Sequence, residues 1–244
     1  MNWTEARLDA LPRKGGFRLR GLEITRLETF TDAAFAFATT LLVISLSGIP
    51  GSYSELVEAL KGTPAFAASF ASVASFWYSH REWSRKYGLE DMSSTIISLS
   101  LVFVMMVFVY PLKMVFAALF HWISNGFLPT NFVLTETNDL TGLFVIYGIG
   151  FFAMNTCMLL LFWRARSSAE ELKLNTLERW ITRSGIVNFG TLSLTGLLSF
   201  LWAWLAPGKL GIWAGFAYAT LPISMPLLGN YYGRKHKKLL KADK

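Results

Sequence analysis

An acid inside an apolar helix is the residue of this chain most able to do chemistry. From Arg26 to Leu46 the sequence reads RLETFTDAAFAFATTLLVISL, with Asp32 as its last charge before Glu55. A carboxylate at or below a membrane interface costs free energy unless it is paired, so Asp32 marks a functional site. Arg26 lies six residues earlier, about 120° round a helix, so the partner of Asp32 comes from another helix. His80 matches it in depth, because it closes the second apolar segment where Asp32 opens the first. A histidine–carboxylate pair there is either a structural clamp or a proton-sensitive element.

Other chemistries lack their residues. His80, His121 and His236 have no ligand-like spacing with cysteine or acids, so no metal site is expected. Gly148-Ile149-Gly150 is a lone G-x-G inside an apolar run, without the strand and helix of a phosphate loop. There is no G-x-S-x-G and no T-V-G-Y-G, which removes a nucleophile elbow and a pore-loop filter. No enzyme and no cofactor are expected. Ser168-x-x-Glu171 reads as a capping box that opens a helix over 169–183. Glu170, Glu171 and Glu178, mixed with bases, read as its solvated face. Glu55 and Glu58 read as solvated loop acids.

The elements that carry these residues are membrane helices. The chain is 53% hydrophobic and only 16% charged over 244 residues, with a mean hydropathy of +0.40. Six apolar segments are long enough to span: 27–47, 63–80, 92–116, 140–163, 184–206 and 210–232. Basic residues fall on alternate connections. Arg13, Lys14, Arg18, Arg20 and Arg26 precede the first segment, and Arg81, Arg85 and Lys86 follow the second. Arg164, Arg166, Lys173, Arg179 and Arg183 follow the fourth, and Arg234, Lys235, Lys237, Lys238, Lys241 and Lys244 follow the sixth. The other connections hold only Lys61, Lys113 and Lys209. This is a positive-inside pattern with six crossings and both termini cytoplasmic. The net charge of +7 is then orientation charge, and no nucleic acid is implied. The single cysteine, Cys157, allows no intrachain disulfide. Residues 1–25 read as a basic cytoplasmic segment with a short interfacial helix near 3–11; they hold no signal-peptide core. Residues 26–233 form the membrane domain and 234–244 a basic tail.

On a helical wheel, Phe30, Ala34, Phe37, Leu41 and Ile44 form one narrow stripe with Thr40 beside it, and Asp32 points away from it. The stripe either packs against neighbouring helices of the same chain, or meets symmetry copies of itself and lines an axial constriction. Hydrophobic constrictions gate pores by excluding water. The second segment carries small residues, Ala67, Ala71, Ala74 and Ser75 with Ala68, Ser72 and Ser79, that favour close contact. Gly211, Gly215 and Ala219 form a small-xxx-small run in the sixth. Pro111, Pro222 and Pro226 are expected to kink or break their helices.

At Arg26-x-x-x-Phe30-Thr31-Asp32 the chain resembles prokaryotic members of the lysosomal potassium channel family (transmembrane protein 175), which carry R-x-x-x-F-S-D at the start of their first helix. The run ending in TTLLVISL, the Phe76-Trp77-Tyr78-Ser79-His80 close of the second segment, and the Phe/Val-rich third segment ending near Pro111 extend the likeness over nearly the whole chain.

The resemblance implies an all-α membrane protein of six transmembrane helices per subunit, without a pore loop, in the plasma membrane of a prokaryote. It implies a homotetramer in the lipid bilayer, conducting K+ and other monovalent cations passively. Carried over, the first helices line the pore, Phe37, Leu41 and Ile44 form its constriction, and Thr40 is its polar position. Arg26, Phe30, Thr31, Asp32 and His80, with Trp77 as a neighbour, form a polar network that holds helices together. Thr31 stands where the family has serine and keeps the hydroxyl. Phe37 stands where the family has isoleucine or leucine, so either the ring closes the pore or it turns aside and leaves Leu41 to seal it. Asp32, His80 and the prolines also suit a proton- or cation-coupled secondary transporter.

Overall fold

A computed structural model describes residues 3–44, 49–130, 137–206 and 208–242. In chain order, α1 (Glu5–Asp9) leads into a two-stranded hairpin, β1 (Arg13–Lys14) and β2 (Phe17–Arg18). Then come α2 (Arg26–Ile44), α3 (Tyr53–Lys61), α4 (Thr63–Tyr87), α5 (Met92–Ile123), α6 (Thr137–Ser167) and α7 (Thr176–Leu205). A 3-10 segment (Gly208–Thr220) runs into α8 (Leu221–Ala242). Among the described residues five helices are long and apolar enough to cross a membrane: α2, α5, Asp139–Ser167, α7 and Leu210–Lys241. The second expected segment, 63–80, falls on α4, which is not among these five; its serines, small residues and Trp77–Tyr78 pair leave it less apolar than the others.

Local chemistry sets the helix ends. Asp91 caps α5 by accepting from Ser93 N–H, and Gly88 closes α4 in the left-handed region (φ 58°). The capping box that opens α7 is Asn175 with Glu178, not Ser168 with Glu171. Helix α6 instead runs on to Ser167, so the expected helix over 169–183 starts at Thr176. Pro111 lies within the continuous α5. Pro222 sits in the first turn of α8, at the change from 3-10 to α geometry, and Pro226 lies within α8.

Glycines let the helices approach. A Cβ at Gly148 would lie 2.8 Å from the backbone nitrogen of Phe200 in α7, and one at Gly150 would enter the ring of Phe108 in α5. The G-x-G of α6 is therefore a packing device. Gly211 and Gly215 lie against Thr141 and Phe144 of α6, as a small-residue run predicts. The small residues of α4 behave differently: Ala67, Ala71 and Ser75 face outward. Its buried line is Ala65, Ser69, Val73, Phe76, His80, Trp83 and Tyr87.

The chain ahead of α2 is folded rather than tail-like. Leu8 and Phe17 are fully buried, and Arg18 and Arg20 nearly so. Gly15 and Gly16 (φ 58° and 82°) form the two-residue turn between β1 and β2. The turn rests on α7 and α8: Gly15 O accepts from His236 Nε2 at 2.8 Å, and a Cβ on Gly16 would lie 2.5 Å from Leu177.

Candidate functional site

Helix α2 presents three faces. Thr31, Ala34, Phe35, Ala38 and Leu42 are buried against the rest of the chain. They recur at intervals of three, one, three and four, a single packing stripe. Beside it lies the predicted seam. Phe30, Phe37 and Ile44 are 55%, 53% and 66% exposed, with Thr40 also exposed. Ala34 and Leu41 sit at the border: Ala34 is buried, and Leu41 packs in part against the core. The exposed line of the seam is therefore Phe30, Phe37, Thr40 and Ile44. Ser45, Leu46 and the end of the segment expected to reach residue 47 lie outside the described residues. Thr40 Oγ1 donates to Ala36 O at 3.1 Å, which leaves the threonine methyl and an oxygen lone pair on the exposed side.

The third face carries Asp32. Its Oδ1 accepts from Trp77 Nε1 at 2.8 Å, and the guanidinium of Arg81 lies 5.6 Å from the Trp77 ring centroid. Asp32 thus ties α2 to α4 through an indole. The His80 pairing expected from depth does not form. His80 is 2% exposed, and its Nε2 bonds Ser98 Oγ of α5 at 3.0 Å. The reason is helical pitch: Trp77 and His80 are three residues apart, so His80 points towards α5. The buried Thr31 spends its hydroxyl on Glu28 O at 2.9 Å within its own helix. Arg26 is exposed and has no polar partner among the described residues. Within one chain the motif residues therefore divide into an Asp32–Trp77 tie and a His80–Ser98 tie.

Two further features were missed from sequence. Thr25 and Glu28 cap α2 reciprocally: Glu28 N–H donates to Thr25 Oγ1 and Thr25 N–H to Glu28 Oε2, each at 3.1 Å. The T-R-L-E spacing was a legible signal for this box. The second is a buried ionic cluster. Glu178, expected on a solvated face, is fully buried and binds Arg18 and Arg20 at 2.8 and 2.9 Å. Arg18 stays protonated more firmly than usual, through its hydrogen bond to Glu178 set against the cost of burial. Nothing in the local sequence separates these arginines from orientation charge. Among the described residues no group of histidine, cysteine and acids could hold a metal ion.

The family model for the endosomal/lysosomal potassium channel TMEM175 matches residues 26–111, from the start of α2 to Pro111. A protein of Marivirga tractuosa named "Potassium channel" is 33% identical over 234 residues, 92% of this chain and 94% of that one. The chain belongs to the TMEM175 potassium channel family. A crystal structure of a single-residue variant of the potassium channel MtTMEM175, in complex with a nanobody–MBP fusion protein, agrees in fold. The two share 31% identity at a TM-score of 0.78, over 93% of this chain and all of that one. TMEM175 proteins of this description are channels, not enzymes, in keeping with the absence of a catalytic constellation from the sequence.

Proposed function

We propose that this chain is one subunit of a potassium-permeable cation channel that conducts passively through an axial pore lined by α2. The observation that carries the proposal is the outward seam of Phe30, Phe37, Thr40 and Ile44. In one chain it has no partner surface, although it stands beside a well-filled packing stripe. Symmetry copies of α2 facing one another would cover this seam and leave an apolar constriction at Phe37 and Ile44, with the half-buried Leu41 at its edge and Thr40 as the polar position. Closed ring symmetry fits such an arrangement, and we propose four copies.

Six crossings form the subunit: α2, α4, α5, α6, α7 and the 3-10 segment with α8. The bond between Gly15 in the N-terminal hairpin and His236 near the end of α8 supports an even number, because it puts both ends of the chain on one side. That side is basic, which supports a cytoplasmic location for both termini in a prokaryotic plasma membrane. No pore loop is needed, and the permeant K+ ion is cargo rather than cofactor. We divide the chain into the N-terminal segment 1–25, the channel domain 26–233 and the basic tail 234–244. Asp32, Trp77, Thr31 and His80 hold α2 in its setting rather than select ions, while Arg26 and Phe30, exposed in one chain, would do so only through a neighbouring subunit. One ground for the transporter reading is removed, because among the described residues His80 and Asp32 bond different partners rather than each other.

The test is potassium flux into proteoliposomes of the purified protein, driven by a potassium gradient, with sodium run in parallel. Non-saturating flux that follows the gradient and needs no second solute is expected. Saturation, or dependence on a co-transported ion, would refute the channel.

A further inference from the structure

The N-terminal hairpin is fastened by more hydrogen bonds than a passive tail requires. Glu178 Oε1 accepts from Arg18 N–H, Arg18 Nε and Arg20 Nη1 at 2.9, 3.0 and 3.1 Å. Its Oε2 accepts from Arg18 Nη2, Arg20 Nη2 and Asn175 N–H at 2.8, 2.9 and 3.0 Å. The spare donors reach carbonyls: Arg18 Nη2 to Lys173 O, and Arg20 Nε to Leu172 O. Buried ionic groups are a poor source of stability compared with apolar packing, and their best-attested use is to fix register. Forked guanidinium bonds fix both height and rotation.

What they fix leads to α2. Gly21 N–H donates to Arg85 O of α4 at 3.1 Å, and a Cβ there would lie 2.5 Å from Ser84 O. The cap of α2 begins at Thr25, so only residues 22–24 separate the fastened backbone from the helix, a reach of about 10 Å. A second link runs through rings. Phe17 of the hairpin meets Tyr87 at 5.4 Å between centroids, Tyr87 meets Trp83 at 6.0 Å, Trp83 meets His80 at 6.1 Å, and His80 meets Phe35 of α2 at 6.5 Å. Tyr87 is itself tied to α7 through Thr182 at 2.8 Å.

We infer that Arg18, Arg20 and Glu178 are positioning residues for conduction: through the hairpin they set the height and rotation of α2 against α4 and α7, and thereby the width of the path its seam lines. This rests on α2 as the pore-lining helix.

The experiment is single-channel recording in planar bilayers, with oligomer size checked by gel filtration. The variants are Glu178→Gln, Glu178→Asp, and Gly16→Ala, which strains the turn and crowds Leu177 without removing a charge. Asp91→Asn is the control; it weakens an ion pair to Arg164 that ties α5 to α6 and is not one of the hairpin's own bonds. The expected result is wild-type oligomer size with current per channel changed about fivefold or more in Glu178→Gln and Gly16→Ala. Glu178→Asp should lie between them and wild type, and Asp91→Asn should match wild type. Unaltered currents in both hairpin variants would overturn the inference while leaving the pore reading intact. So would an equal change in Asp91→Asn, or failure of both variants to assemble, which would make the cluster a folding requirement alone. A wild-type protein that is folded, oligomeric and silent would overturn both.

Discussion

Glu178→Gln should be among the most damaging single-atom changes in the chain. The exchange turns one carboxylate oxygen, which accepts three hydrogen bonds, into an NH2 group facing three donors. Two guanidiniums then stay behind, with the Arg20 side chain wholly and the Arg18 side chain nine-tenths out of water. Removing one partner of a buried ion pair costs about 3–5 kcal/mol, chiefly from the charge left uncompensated. The remaining oxygen keeps its own three bonds, which places Glu178→Gln near the lower end, about 3 kcal/mol. Glu170→Gln is the internal control. Its bond to Arg179 is just as short, 2.7 Å, but the carboxylate is 88% exposed, and surface pairs of that kind are worth about 1 kcal/mol or less. Reversible unfolding in mixed micelles, followed by tryptophan fluorescence, measures both. A loss below about 1 kcal/mol for Glu178→Gln, or equal losses for the two variants, would refute the reasoning from burial.

Leu42 and Ile44 stand two residues apart on opposite sides of the packing boundary, 0% and 66% exposed. Leu42→Ala should cost the protomer about 2–5 kcal/mol, and Ile44→Ala well under half of that; equal losses in the same unfolding assay would mean that Ile44 is covered within one chain. Trp77→Phe keeps the ring but removes the N–H that Asp32 accepts. It should lower the resistance of the proposed oligomer to dissociation on detergent titration by about 1–3 kcal/mol while leaving the ratio of potassium to sodium flux unchanged; a changed ratio with intact assembly would assign the tie to selection. Asp91 is held below the ordinary aspartate range. Burial raises its pKa, but hydrogen bonds from Ser94 and Arg164 and the Arg164 charge outweigh it. Its contribution to stability is therefore present above the unfolded-state pKa and lost as pH falls through the folded one. Asp91→Asn should flatten that part of the acid limb of a pH–stability curve, and an unchanged limb would contradict the assignment.

Five of the six expected membrane helices were legible because apolar runs are averages over many residues, which survive errors at any one position. The seam of α2 was legible for a related reason: helical period alone fixes which residues share a face. Period does not say which of two adjacent faces the chain itself covers. Thus Ala34 and Leu41, at the edge of the wheel's stripe, lie against the core, while Phe37 and Ile44 do not. Depth predicted that Asp32 would find a partner on α4, but not which one, since Trp77 and His80 differ by one short step along that helix. The hairpin carried a local signal in Lys14-Gly15-Gly16-Phe17, a two-residue glycine turn between short strands. The burial of Arg18, Arg20 and Glu178 carried none, because it depends on residues 160 positions apart meeting in space.

The central claim is that the exposed line of α2 faces the ions. It is tested most directly by thiol modification during potassium flux, in a background with Cys157 replaced by alanine. Thr40→Cys puts a thiol of similar size on the seam, and Ala38→Cys puts one on the fully buried packing stripe. A charged, membrane-impermeant thiosulfonate should react with Thr40→Cys proteoliposomes and suppress their potassium flux, and should leave Ala38→Cys unaffected. Flux that persists in Thr40→Cys after modification is complete, or suppression confined to Ala38→Cys, would place the ion path elsewhere.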